Sequence, residues 1–187
     1  MTRIGIIIGT TRPGRLGPQV ARWVEKAAAA RGDADFEVVD LADYDLPLFD
    51  EPRVPRLGVY EHAHTRAWSA KVAELDGFVF VTPEYNWSIP AVLKNAIDFV
   101  YQEWNHKAAC FVGYGSNVNG ARAVEHLRQI AGAVQLATAY TQVNLSLWTD
   151  CAEFTTFTPA ESHDAVLQRM LTEVISLTDV LAPLRRA

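Results

Sequence analysis

The chain is poor in cysteine. Cys110 and Cys151 are the two in 187 residues, and neither belongs to a C-x-x-C pair, which argues against a disulfide framework or a cysteine-built zinc site. Cys110 falls in an apolar run and reads as core; Cys151 falls in a later loop. Long hydrophobic stretches are also missing. Nothing approaches the length of a membrane span, and the five-residue apolar run at the amino end is too short for a secretory signal. The expectation is a cytoplasmic protein with no membrane partner. Basic runs are absent and the formal net charge is -5, so nucleic acid is not an expected partner. No repeat or linker composition interrupts the sequence, and hydrophobic residues make up 49% of it, which predicts one domain over 1–187 with a sizeable core.

What is present is concentrated first in residues 4–17. Ile4 and Ile6 to Ile8 read as a strand buried on both faces, Gly9 opens a tight loop, and Pro18 begins a helix. A loop rich in glycine and hydroxyls at a helix N-terminus is an anion site, because backbone N–H groups point inward and the helix dipole favours negative charge. Arg12 and Arg15 add guanidinium forks suited to phosphate. Thr10 and Thr11 can bond a terminal phosphate, which suggests a mononucleotide. No Gly-Lys-Ser/Thr closes the loop, so it is not a P-loop. Its glycines, at 9, 14 and 17, miss the G-x-G-x-x-G spacing of dinucleotide folds.

The spacing of apolar residues then predicts a helix from Pro18 to Arg31, with Val20, Trp23, Val24 and Ala27 inward, and a second strand over Phe36 to Leu41. Residues 42–61 form a long proline-bearing loop, and His62 and His64 make an H-x-H pair with no partner motif. A helix over Ala63 to Leu75 leads to a buried strand, Phe78 to Thr82. Ser88 and Pro90 mark the next helix, striped by Val92, Leu93, Ala96, Ile97 and Val100. Ala108 to Val112 is a fourth strand. Asn119 is placed to cap a helix carrying Val124, Leu127 and Ile130, and a fifth strand lies within 136–145. An aromatic loop spans 146–157. Thr158 to Glu161 reads as a capping box for a last helix with Val166, Met170, Val174, Leu177 and Leu181 inward.

Five strands alternating with five helices define an α/β architecture with a parallel sheet. With strand order 2-1-3-4-5, the loops at 9–17, 83–88 and 113–120 converge at the carboxyl edge, where such sheets bind ligands. In the second loop, backbone amides and Asn86 can hydrogen-bond a flat heteroaromatic ring that Tyr85 or Trp87 covers; the alternative is a turn whose aromatics pack on the next helix. Glu84 invites a general-base reading, and organising that loop by hydrogen bonding is an equal alternative. In the third, Gly113 and Gly115 flank Tyr114 and permit close approach, and Ser116 and Asn117 offer polar groups; an ordinary turn is the alternative.

These residues carry a resemblance. Gly9-Thr10-Thr11-Arg12-Pro13-Gly14-Arg15, and Thr82-Pro83-Glu84-Tyr85-Asn86 leading into Ile89 to Asp98, resemble the NAD(P)H-dependent FMN reductase family, a flavodoxin-like group that includes quinone, azo-dye and chromate reductases. The likeness is clearest over residues 3–130. It implies a flavodoxin-like three-layer sandwich with a five-stranded parallel sheet, FMN as cofactor, NADPH or NADH as donor, and a small-molecule electron acceptor. It implies that Thr10, Arg12, Arg15, Leu16 and Gly17, beside Gly9 and Thr11, hold the FMN phosphate. Pro83, Glu84, Tyr85 and Asn86, with Trp87, would contact the ribityl chain and ring, and Gly115 and Ser116, with Tyr114, its pyrimidine end. A homodimer or homotetramer is implied, with Trp87, Tyr101 and Trp104 as candidate contact aromatics. The run Ser116-Asn117-Val118-Asn119-Gly120 departs from the Ser-x-Gly-Gly common in the family. A flavodoxin-type electron carrier, a flavin-free module and a flavin reductase feeding a monooxygenase remain the alternatives.

Overall fold

The computed structural model describes residues 1–185. Its elements run in the order β1 (Arg3–Ile8), α1 (Gly17–Ala29), β2 (Asp35–Asp40), α2 (Ala63–Glu74), β3 (Gly77–Pro83), α3 (Ala91–Asp98), β4 (Ala108–Gly115), α4 (Ala121–Ala133), β5 (Ala137–Thr138), β6 (Val143–Ser146), β7 (Cys151–Ala152), β8 (Thr156–Phe157) and α5 (Ser162–Arg185). The main sheet has the order β2-β1-β3-β4-β5, all pairs parallel, with β6 also pairing β4. The fifth predicted strand is thus two short ones. Tyr140 to Gln142 break the ladder between them, and both segments lie along the same edge of β4.

Every residue of β3 and β4 is buried, because helices cover both faces. Side-chain alternation divides the core. Ile4, Ile6, Ile8, Val79, Val81, Cys110 and Val112 pack with α1 and α5. Ile7, Phe78, Phe80, Ala109 and Phe111 pack with α2, α3 and α4. Tyr114, at the end of β4, belongs to the α1 side, next to the loop that follows β1.

Several local expectations are corrected. Val92 and Val166 are exposed, at 37% and 38%. Met170 and Val174 of the expected α5 stripe are buried and Leu177 and Leu181 pack against the core, with Leu167 inward in place of Val166, and Val92 sits at the rim of a cleft. Neither Ser88 nor Asn119 caps a helix. The caps fall on Pro90 and Gly120, without side-chain bonds, and the Ser88 hydroxyl instead meets His126 Nδ1 at 2.9 Å. The aromatic loop contains the β7–β8 hairpin, and α5 begins at Ser162 after Asp150 Oδ1 has accepted the Ala160 N–H.

Candidate functional site

The three loops meet at the carboxyl edge of the sheet, as the strand order requires. Gly9 N donates to Val81 O at 2.9 Å, Glu84 N donates to Tyr114 O at 2.9 Å, and the Thr10 and Tyr85 hydroxyls lie 3.1 Å apart. The first loop is thereby tied to the second, and the second to the third.

In the first loop, Thr10 is buried and Arg12 is exposed. Leu16 precedes α1 with no side-chain cap, and no acid occupies the first turn, so that helix N-terminus is open to an anion. Gly17 keeps it tight: a Cβ there would lie 2.9 Å from Ile8 Cγ2 and 3.4 Å from the Tyr114 hydroxyl. Two buried polar atoms, Arg15 Nε and Tyr114 Oη, have no partner. Burial pushes the Tyr114 phenol well above its ordinary pKa, the nearby Arg12 and Arg15 pulling the other way, so the group stays a neutral donor. Buried donors without partners are uncommon and costly. Two of them beside an uncapped helix N-terminus fit a phosphate.

The second loop is a tight turn. Tyr85 and Ser88 exchange backbone bonds at 2.9 and 3.0 Å, and Asn86 and Trp87 both adopt left-handed backbone, with φ of 49° and 73°. Such angles are strained for a bulky residue and recur at functional turns. The effect is to present the Trp87 indole at 67% exposure. Trp87 is held from above: the Arg122 guanidinium lies 4.6 Å from its ring centroid.

Glu84 organises this loop. Its side chain is only 6% exposed and is ion-paired with Arg122. Its Oε1 accepts Arg122 Nε at 2.6 Å and its Oε2 accepts Arg122 N at 3.2 Å, so a carboxylate from another loop caps α4 in place of Asn119. Pro83 is buried at the root of the turn. In the third loop, Gly115 O accepts Leu147 N at 3.0 Å, and Ser116 is exposed. Gly120, at φ 80°, must be glycine, because a Cβ would run into the Tyr114 backbone amide. Of the candidate contact aromatics, Trp104 is fully buried in the core, Tyr101 is half-buried, and Trp87 alone of the three is largely exposed.

The sequence reading missed Arg122 and Asp40. A cation in the first turn of a helix opposes the dipole, and that mismatch was the available signal for Arg122. Asp40 Oδ2 accepts Arg15 Nη2 at 2.5 Å, a contact bridging 25 residues that no local pattern announces. Beside the first loop lies a cleft of about 480 Å³ lined by Thr11, Leu41, Tyr44, Val92 and Asn95. Asn95 also pins the 42–61 segment, donating to Pro47 O at 2.6 Å and accepting from Phe49 N at 2.9 Å. A cavity of about 600 Å³ around Lys107 and Arg185 lies at the opposite end of the sheet, away from the site. His62 and His64 stack on one another, and both face Asp50.

A doubly wound parallel sheet, a phosphate-type loop after β1, an exposed indole after β3 and a glycine-lined loop after β4 define a flavodoxin-like protein built for a mononucleotide with an aromatic ring. The family model for NADPH-dependent FMN reductases matches residues 2–150. The NAD(P)H-dependent FMN reductase of Schizosaccharomyces pombe is 37% identical over 187 residues, covering 99% of this chain and 86% of that relative. A namesake from Saccharomyces cerevisiae is 34% identical over 145 residues, covering 72% of this chain and 75% of its own. The quinone reductase of Escherichia coli K12 is 33% identical, covering 66% of each. Among solved structures, the flavoenzyme NAD(P)H:(acceptor) oxidoreductase FerB of Paracoccus denitrificans superposes with a TM-score of 0.73 at 19% identity, covering 98% of both chains, and shows the same fold. The chain belongs to the NADPH-dependent FMN reductase family.

Proposed function

We propose that this chain, folded as one domain over residues 1–187, is an FMN-dependent oxidoreductase that moves a hydride from NADPH or NADH to a small acceptor, with quinones the leading class because bacterial relatives carry that name. The observation that carries the reading is the pair of unpartnered buried donors, Arg15 Nε and Tyr114 Oη, beside the uncapped N-terminus of α1. They fit a phosphate monoester, and Arg12 brings a further cation from solvent. FMN, held there, would supply the hydride-transfer chemistry.

The chain's own residues orient and shield. Thr10, Arg12, Arg15 and the amides of Leu16 and Gly17 anchor the phosphate. Pro83 to Asn86 would hold the sugar chain and ring, and Gly115 and Ser116, in the loop after β4, would leave room for the ring's polar end. Trp87, clamped by Arg122, forms a wall that excludes water and aligns flat substrates. Glu84 takes no proton in this scheme, since its carboxylate is committed to Arg122.

No helix among the described residues is long and apolar enough to cross a membrane. We assign the protein to the cytoplasm as a homodimer or homotetramer. Leu48, Val54 and Leu57 on the 42–61 segment are exposed at 85%, 63% and 60%, apolar surface suited to a second copy, and light scattering behind size exclusion measures the copy number.

The test of function is the visible spectrum of the purified protein after FMN is added and excess removed, repeated with NADPH and with NADH under anaerobic conditions. A retained flavin spectrum that bleaches supports the reading. A retained spectrum that does not bleach indicates a flavodoxin-type carrier instead, and no retained flavin removes the cofactor assignment.

A further inference from the structure

We propose that Asp40 is a positioning residue for the flavin phosphate: it holds Arg15 within the phosphate loop so that one edge of the guanidinium stays free for the anion. The inference rests on the FMN reading above and concerns Asp40, to which that reading gave no role.

Asp40 ends β2, which lies beside β1 with Ile8 opposite Asp40. The register delivers its carboxylate next to the loop that leaves β1 at Gly9. One oxygen, Oδ1, accepts the Ala42 N–H at 3.0 Å and opens the short 3-10 turn Leu41–Asp43 at the start of the 42–61 segment. The other, Oδ2, accepts Arg15 Nη2 at 2.5 Å. Both side chains are largely removed from water, at 16% and 18% exposure. The carboxylate is therefore fixed by backbone on one side and fixes an arginine on the other.

A guanidinium has five N–H donors in a planar fork. Asp40 engages Nη2, while Nε is buried without a partner. If the ion pair were merely a structural link, both edges of the fork would be expected to find protein acceptors. Here the free donor lies in the loop that also holds the open helix N-terminus, with the unpartnered Tyr114 hydroxyl reaching the same turn. A phosphate oxygen satisfies the donor with a charge-assisted bond.

Asp40 carries a negative charge and a phosphate dianion another, so direct repulsion opposes this role. The guanidinium lies against Asp40 and neutralises most of its field. What remains is pre-organisation: without Asp40, the long arginine side chain regains rotamer freedom, and that entropy is lost again when phosphate binds. Ordering the fork in advance favours the phosphorylated flavin and is indifferent to riboflavin, which has the same ring and sugar chain but no phosphate.

The experiment is a fluorescence-quenching titration of the apo chain with FMN and with riboflavin, no nicotinamide present. It is made for the wild type, Asp40→Ala, Asp40→Asn and Arg15→Lys. Asp40→Ala and Arg15→Lys are expected to weaken FMN about tenfold, the scale of one charge-assisted hydrogen bond, and to leave riboflavin unchanged. Asp40→Asn keeps one acceptor oxygen, enough for the Ala42 N–H, but turns its NH2 toward Arg15; it is expected to weaken FMN as Asp40→Ala does and carries the test should the alanine variant fail to fold. FMN bound as tightly or more tightly by Asp40→Ala overturns the inference, as does an equal loss for both flavins, which would mean that Asp40 serves only the 3-10 turn. A wild type that binds neither flavin removes the FMN reading and this inference with it, whereas tight wild-type binding with unaffected variants removes this inference alone.

Discussion

The side-chain hydroxyls of Thr10 and Tyr85 lie 3.1 Å apart and join the loop after β1 to the loop after β3. Thr10 is buried, so this contact is its route to a satisfied hydroxyl in the apo chain. Tyr85→Phe leaves that hydroxyl unpaired and is expected to cost about 1–2 kcal/mol of stability without flavin. Urea unfolding measures it. An unchanged midpoint means that water replaces the tyrosine and that the two loops are not coupled through this bond.

Arg12 makes no ion pair among the described residues and is exposed, in contrast to Arg15. A free cation beside an anion site acts mainly through charge. Arg12→Ala is expected to weaken FMN by about tenfold at low ionic strength, and by less in high salt, where the field of an exposed charge is screened within about 10 Å or less. Equilibrium titrations at two salt concentrations check this. A salt-independent loss would point to a direct geometric contact instead.

Glu84 and Arg122 form a pair in which the acid is buried and the base is about one-third exposed. Removing the base leaves a buried carboxylate uncompensated. Arg122→Ala is expected to destabilise the chain by about 2 kcal/mol, below the usual penalty for a fully buried pair because one partner is partly solvated. Adding Glu84→Gln to Arg122→Ala should recover part of that loss. A double variant no more stable than Arg122→Ala would show that Arg122 acts through packing on Trp87, not through Glu84.

The elements were legible because their signals are local. The alternation that buries Ile4, Ile6 and Ile8 against one helical layer and Ile7 against the other is written in a run of five residues, and the convergence of the three loops followed from the strand order expected of a doubly wound sheet. What escaped is long-range. Four acids tie distant segments together: Asp40 to Arg15, Glu51 to the amides of Glu61 and His62, Glu84 to the start of α4, and Asp150 to Ala160 and His163. Glu84 and Asp150 stand in for the Asn119 and Thr158 caps that sequence pattern suggested, while α3 starts at Pro90 with no side-chain cap in place of Ser88. The fates of the aromatics also lay outside the pattern. Trp104 fills the core against Phe78 while Trp87 stands in solvent, a difference set by the left-handed turn at Asn86 and Trp87 rather than by either residue's hydrophobicity.

At the far end of the sheet, Lys107 is buried with its ammonium against the carbonyls that end α2, donating to Val72 O at 2.7 Å and lying 5.6 Å from the Phe78 ring centroid. Burial, reinforced by Arg185 and only partly offset by Asp76 and Glu103, pushes its pKa down from 10.5 to about 8. The folded state therefore binds this proton more weakly than the unfolded state. Below pH 8 both states are charged, and the full penalty for burying the ammonium is present. Between about 8 and 10.5 the folded lysine has lost its proton and the unfolded one has not, so the penalty is relieved as pH rises. That interval corresponds to about 3 kcal/mol. Cys110, whose thiol burial raises, works in the opposite direction above pH 9, so the wild-type curve alone is ambiguous. Lys107→Met keeps the packing and lacks the titration. Urea unfolding of both proteins from pH 7 to 10.5 should show the wild type gaining about 3 kcal/mol relative to the variant. A difference that stays constant with pH would mean that water reaches Lys107 in the folded chain and that its charge is never stripped of solvent.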